Sequence, residues 1–357
     1  MYFRRRKIMK KLLAILLAGL MVFTMVACGD KNKQGNNDDD QYKDTTVIVD
    51  SVTIGSDTFR FENVDSETVI VSGFSTTNDK AHAVTIPAYL MVPGNEREQE
   101  PDQYLRVVGV GKLAFKTTSS IKTLNFPTEA AYLEHDANFD ISKHSFTIAE
   151  YAFRDCVALE SLTVPAYVTE IGVGAFINCS SLKNVNFEAG SKLTEIQASA
   201  FMSCVSLQSI TVPTSVKEIG EGAFFECKSM TSVVINEGTL VIGDQAFQKC
   251  AALESVQLPA SLGIYKDSDY INSKYEEDQR PAPIGEAAFG LCDALTEAGW
   301  VYAGVAPVKP EKPDEGVAED SAEYKAYEEA LAVYEDAFEA YTAIMNYKKA
   351  MGFKSAS

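Results

Sequence analysis

Phenylalanine and cysteine recur in this chain at one fixed offset, Phe-x-x-Cys, six times over. The pairs are Phe153/Cys156, Phe176/Cys179, Phe201/Cys204, Phe224/Cys227, Phe247/Cys250 and Phe289/Cys292, and successive phenylalanines are 23, 25, 23, 23 and 42 residues apart. A period in this range means stacked supersecondary units, none of which can bury its apolar face alone. The chain is thereby constrained to an elongated solenoid, and its function is expected along a surface, not in a deep cleft.

Each unit extends the motif to Phe-x-x-Cys-x-x-Leu, with Met230 taking the leucine's place once. Apolar residues then follow at steps of three and two, as in Leu207, Ile210, Val212 and in Leu253, Val256, Leu258. That spacing predicts a turn leading into a short strand. Proline closes the strand at Pro127, Pro165, Pro213 and Pro259, where it ends edge hydrogen bonding. Glycine after the isoleucine of each unit, as at Ile171-Gly172, is expected to mark a bend.

The whole unit, Ile-Gly-x-x-Ala-Phe-x-x-Cys-x-x-Leu-x-x-Val-x-Leu-Pro, resembles the BspA-type leucine-rich repeat over about residues 84 to 298. Val110-Gly111-x-x-Ala114-Phe115 opens the array with Thr118 in place of cysteine. The resemblance implies a curved leucine-rich-repeat solenoid of short β-strands and turn or 3-10 segments, carried by a bacterial surface protein. It also implies adhesion to host matrix proteins or to other bacteria.

One cysteine repeated at one place in every unit reads as a buried ladder of small apolar side chains, so reduced thiols are expected. Neighbouring rungs bring the sulfurs within about 5 Å, so distance does not forbid pairing.

The seventh cysteine has a separate role. Arg4, Arg5, Arg6, Lys7, Lys10 and Lys11 precede an apolar run from Leu12 to Ala27 that ends in Met25-Val26-Ala27-Cys28. The run is shorter than the roughly 20 residues of a spanning helix, so residues 1–27 read as an export signal. Met25-Val26-Ala27-Cys28 resembles the bacterial lipobox, which implies lipidation of Cys28 and an extracytoplasmic protein anchored to the bacterial membrane or cell surface. The formal charge is −18, and loss of the six basic leader residues makes it −24. Nucleic acid and anionic headgroups are therefore excluded as partners, and membrane attachment is expected through the lipid alone.

Residues 28–45 are a polar tether, and 46–87 show short β-branched and aromatic runs that predict an N-terminal β cap. The solenoid is assigned to 88–300. A normal connection between units is the six residues from Pro165 to Ile171, whereas Pro87 to Val110, Pro127 to Ile148 and Pro259 to Ile284 span 23, 21 and 25. These inserts, at about 88–109, 128–147 and 260–283, all enter at the same point of the repeat. They predict a binding rim for an extracellular protein or glycan, with the third about 25 Å along the axis from the first two. Tyr265, Tyr270 and Tyr275 of the third insert are the candidate anchors, since tyrosine is favoured in interfaces.

Residues 301–316 read as a Pro-rich linker and 317–357 as a helical segment. Asp320-x-x-Glu323 resembles a capping box, and Tyr324, Tyr327, Leu331, Tyr334, Phe338, Tyr341 and Met345 step 3-4-3-4-3-4. Three heptads are marginal for a coiled coil, so docking on the solenoid and oligomerisation through this helix both stand. The latter makes a structural envelope protein the alternative function.

No catalytic constellation is present: there is no nucleophile elbow, phosphate loop or H-E-x-x-H. The chain is expected to be no enzyme and to carry no cofactor and no metal. His135 and His144, with Asp136 and Asp140, read as polar loop residues. Asp267, Asp269, Glu276, Glu277 and Asp278 lack calcium-loop spacing and read as a solvated acidic loop.

Overall fold

The computed structural model describes residues 23–24, 51–94, 101–265, 268–276, 279–313, 319 and 321–351. Strands β1 (Phe23–Thr24), β2 (Ser51–Ile54), β3 (Asp57–Asn63) and β4 (Thr68–Thr76) form an antiparallel meander. The lipobox at Met25–Cys28 and the tether to residue 45 lie outside the described residues. The contact of Phe23–Thr24 with Thr53 and Ile54 is one that a chain processed at Cys28 would lack.

β5 (His82–Thr85) leaves the meander to open a second sheet. β6 (Tyr89–Val92) and β7 (Gln103–Val110) then form an antiparallel hairpin, and β7 joins β4 in parallel. The chain now alternates. β8 (Ile121–Asn125), β10 (Ser161–Val164), β12 (Asn184–Phe187), β14 (Ser209–Val212), β16 (Ser232–Ile235), β18 (Ser255–Leu258) and β19 (Trp300–Tyr302) extend the second sheet in parallel. β9 (Phe146–Ile148), β11 (Val168–Ile171), β13 (Glu195–Ile196), β15 (Glu218–Ile219) and β17 (Val241–Ile242) extend the first. This is the predicted leucine-rich-repeat solenoid. Its second sheet begins inside the segment read as a cap, at β5, and ends two residues inside the segment read as linker, at β19.

Within a rung the apolar steps of three and two place Leu, Val and Leu inward, so Leu207, Ile210 and Val212 are all buried. Between the sheets the Ala-Phe-x-x-Cys turns stack. Phe153, Phe176, Phe201, Phe224, Phe247 and Phe289 lie with ring centroids 5.1–5.4 Å apart and planes within 5° of parallel. Each phenylalanine N–H before Phe289 donates to the alanine carbonyl of the next rung, as from Phe153 to Ala175 and from Phe224 to Ala246. Each thiol donates to the phenylalanine carbonyl one rung back: Cys156 to Phe115, Cys179 to Phe153, Cys204 to Phe176, Cys227 to Phe201, Cys250 to Phe224 and Cys292 to Phe247, at 3.2–3.4 Å. All six ladder cysteines are free and buried. The cysteine is thus more than a space-filler. It satisfies a buried carbonyl that an aliphatic residue would leave with one partner fewer.

Two backbone features repeat with the ladder. The residue before Ala-Phe and the residue before Cys are left-handed, at φ 57° for Ser199 and 60° for Ser203, with Gly174 and Gly222 at the first of these places in two rungs. The glycine after isoleucine lies where the strand gives way to the turn, and it has a second cause besides the expected bend. A Cβ on Gly220 would lie 2.6 Å from Ala198 N and 2.8 Å from Gln197 C, so rungs at this place are spaced by the absence of a side chain.

The stack is closed at both ends by ring edges. At the start, Phe74 stacks on Phe115 and Phe59 meets both edge-on. At the far end Trp300 and Tyr347 meet Phe289 edge-on. Tyr347 belongs to α3 (Ala322–Ala350), which among the described residues follows α1 (Glu129–Leu133) and α2 (Asp269–Lys274). Ser321 caps α3 through a bond from Tyr324 N–H, one residue later than the expected cap at Asp320. Ala340, Ile344, Tyr347 and Met351 form the docked stripe, and Ala340 and Ile344 are buried. Of the predicted seam, Met345 packs on the same core and Tyr341 meets the Tyr302 ring, so the stripe overlaps the seam and widens it by one residue; it places the C-terminal half of α3 over the solenoid end.

Candidate binding surface

The three inserts fold separately and then meet. Insert one is the β6–β7 hairpin, whose register pairs Tyr89 with Arg106. Insert two contains α1, started by Thr128, whose hydroxyl accepts from Ala131 N–H. Tyr132 of α1 is buried and donates to the Val107 carbonyl at 2.9 Å, while Tyr89 donates to the Tyr132 carbonyl at 2.8 Å. Tyr104 stacks on His135 with centroids 3.6 Å apart. Inserts one and two are therefore a single aromatic unit.

His144 sits beneath that unit. It is buried, Nε2 lies 3.1 Å from the Tyr132 hydroxyl, and its ring is tilted against Tyr132 and Tyr167. Burial, followed by the charges of Arg106 and Lys192, brings its pKa down to about 4. The ring is neutral at pH 7 and serves packing. His135 stacks against Tyr104 on the outer side, so the two histidines of this insert have distinct surroundings. Among the described residues no group of three or more His, Cys, Asp or Glu is placed to hold a metal ion.

Insert three is held by a polar latch. Glu195 and Glu218 are paired in register on neighbouring strands, and like charges placed opposite each other repel. Lys274 of α2 resolves this by donating to Glu195 at 3.0 Å and to Glu218 at 2.7 Å. Tyr270 and Tyr275 add bonds to Glu218 at 3.0 Å. Burial works against the lysine's charge, but the bonds to Glu218, Tyr270 and Glu195 outweigh it and hold the pKa above the ordinary lysine value. A small apolar cluster of Leu240, Val241, Tyr265 and Ile271 lies alongside the latch.

The three candidate anchors are thus placed inward. Tyr265 is buried and donates to the Pro281 carbonyl at 2.7 Å, and the hydroxyls of Tyr270 and Tyr275 engage Glu218. They fasten insert three to the first sheet, and the outward side of α2 carries Asp269, Asn272 and Ser273 instead. Insert three also extends back along the solenoid from its point of entry. It reaches back to Glu195, while Lys192, three residues earlier, donates to the carbonyls of Ser142 and His144 in insert two. One connection of the solenoid therefore touches insert two at one end and insert three at the other. Sequence reading missed Lys274 as the clamp, although the Glu195/Glu218 alignment, one rung apart, carried the signal for a cation.

Residues 146–276 match the family described as BspA type Leucine rich repeat region, in six copies, and the chain carries this repeat. Proteins with repeats of this type are generally surface or protein-interaction proteins. A comparison with curated proteins finds no match. Among solved structures, the pneumococcal vaccine antigen PcpA is 18% identical, with 73% of this chain and 50% of that one covered at a TM-score of 0.40. The chain thus spans about half the length of PcpA. A Treponema pallidum leucine-rich-repeat protein is 23% identical, covering 68% of this chain and 89% of that one at 0.36. A leucine-rich cell-surface protein of Faecalibacterium prausnitzii is 19% identical, covering 71% and 76% at 0.32.

Proposed function

We propose that this BspA-type repeat protein is exported, lipid-anchored through Cys28, and binds an extracellular macromolecule by its three inserts. The observation that carries the reading is their convergence: Lys192 and Glu195 tie inserts two and three to one stretch of the solenoid, and insert one is stacked on insert two. The tying of three independent elongations of the repeat to one stretch of the solenoid supports a shared recognition surface. The inner side of α3 is occupied by the solenoid end, which favours the inserts over the helix as the recognising element.

The test is binding of the full chain to immobilised extracellular matrix proteins and glycans. Replacing the exposed insert residues Leu133 and Asn272 with glutamate should weaken capture of the bound partner at least tenfold. Undiminished capture, together with loss on introducing Asn186→Glu and Thr211→Glu in the open face of the second sheet, would move recognition to that face. Anchoring is tested separately: Cys28→Ala should abolish incorporation of labelled fatty acid and release the protein from the membrane.

A further inference from the structure

We propose that Arg106 anchors a binding site for the carboxylate of an acidic sugar, in the paired clefts between inserts one and two. The inference rests on the reading of the inserts as the recognition surface and assigns a chemistry to one part of it. Arg106 lies on β7 with its guanidinium carbon 5.9 Å from the centre of the Phe139 ring. Its Nε is buried without a hydrogen-bond partner among the described residues, and none of their ion pairs includes it. Buried polar groups are normally paired, and an arginine offers a planar fork that matches a carboxylate at two points.

Three of the neighbouring acids already have partners. Asp65 accepts from the amides of Glu67 and Thr68, Asp136 from the amide of Asn138, and Asp140 from Ser142 and Lys143. Arg106 lines two open clefts of about 360 and 460 Å³. Phe139 and His144 line one, and Tyr89, Tyr104 and Gln103 line the other. His144 is neutral, so it adds no second fixed charge.

This set of groups selects among acidic ligands. Asp136 borders both clefts and Glu67 and Asp140 one each, which repels a polyanionic peptide. The same carboxylates accept hydrogen bonds from sugar hydroxyls, and aromatic rings offer apolar faces to the C–H side of a sugar ring. Lys143 also borders the first cleft but pairs with Asp140 at 3.1 Å, so Arg106 is left as the cation for an incoming group, and its setting among acceptors and rings fits a ligand with one carboxylate and many hydroxyls.

The experiment compares methyl glucuronide, its neutral methyl ester and methyl glucoside as ligands of the full chain, by saturation-transfer NMR titration. The acid is expected to bind at least tenfold more tightly than ester or glucoside. Arg106→Gln should remove that preference, Arg106→Lys should keep a part of it, and Lys143→Gln should leave it intact. Equal binding of acid and ester, no binding of any of the three, or loss of the preference in Lys143→Gln instead of Arg106→Gln would overturn the inference. The acid-to-ester ratio is measured on the unmodified protein, so it decides even if Arg106→Gln disturbs the hairpin. A chain that captures its macromolecular partner through the inserts but shows no acid preference would sink this site and leave the proposed function standing.

Discussion

The hydroxyl of Tyr347 accepts the backbone N–H of Phe289 at 2.9 Å. In the interior rungs that N–H goes to the alanine of the following rung. After the last rung no such alanine exists, and a side chain from α3 takes its place. The ring of the same tyrosine stacks on Trp300 with centroids 6.0 Å apart and both meet Phe289 edge-on. A solenoid end needs its polar ladder and its apolar stack closed together, and this one residue contributes to both.

Tyr347→Phe should therefore separate the two contributions. It keeps the ring and strips the acceptor from a backbone donor, a loss of about 1–3 kcal/mol. Chemical denaturation should show that decrease, and amide exchange at Phe289 should accelerate well beyond that at Phe247. Unchanged exchange at Phe289 would show that the cap works through packing alone.

Two small substitutions in adjacent rungs should act with opposite signs. Gly220→Ala forces a methyl into the backbone of Gln197 and Ala198 and should cost about 1–3 kcal/mol, as overpacking does. Ser199→Gly relieves a left-handed residue at φ 57°, where an L side chain costs roughly 1 kcal/mol. Melting temperature should fall for the first and hold or rise for the second; the reverse order would contradict the rung geometry.

The thiol ladder makes stability fall in alkali. Burial, ahead of the neighbouring sulfurs, raises the pKa of Cys156, Cys179 and Cys227 well above the ordinary thiol value and pushes Cys292 up to about 12. Above pH 9 the unfolded chain loses these protons and the folded chain keeps them, so unfolding becomes more favourable as pH rises. The midpoint of denaturation should drop between pH 9 and 12, and less steeply in Cys179→Ala. Native thiols should resist a bulky thiol reagent and react on unfolding without reductant. Cys204→Ser should be milder than an unpaired buried hydroxyl implies, because the Phe176 carbonyl is there to accept from it.

Insert two should loosen in mild acid. The folded pKa of His144 is about 4 against an ordinary 6.5, so the unfolded form binds the extra proton first and stability is lost as pH falls from 6.5 toward 4. Hydrogen exchange in residues 129–148 should rise over that window, and His144→Gln should flatten the dependence. A profile unchanged by that variant would assign the acid sensitivity elsewhere.

Period alone determined most of the architecture. The Phe-x-x-Cys-x-x-Leu spacing dictated which side chains point inward and how the rungs align, because in a stacked array each unit can bury its apolar face only against an identical neighbour. The elongated connections were equally visible, since an insert is counted against the standard six residues. Long-range pairing was decided by the tertiary structure. Tyr265, Tyr270 and Tyr275 look like free anchors until Glu218 is seen beneath Tyr270 and Tyr275 and the Pro281 carbonyl beside Tyr265. The heptad of α3 includes Met345, which docks, but not Ala340, Ile344 and Tyr347, which dock beside it. Arg106 carries no mark in a chain of 32 basic residues. Repetition encodes contacts between equivalent residues, which a period can reveal, whereas the inserts and the cap make contacts between unlike segments 16 to 79 residues apart, and only the folded chain brings those together.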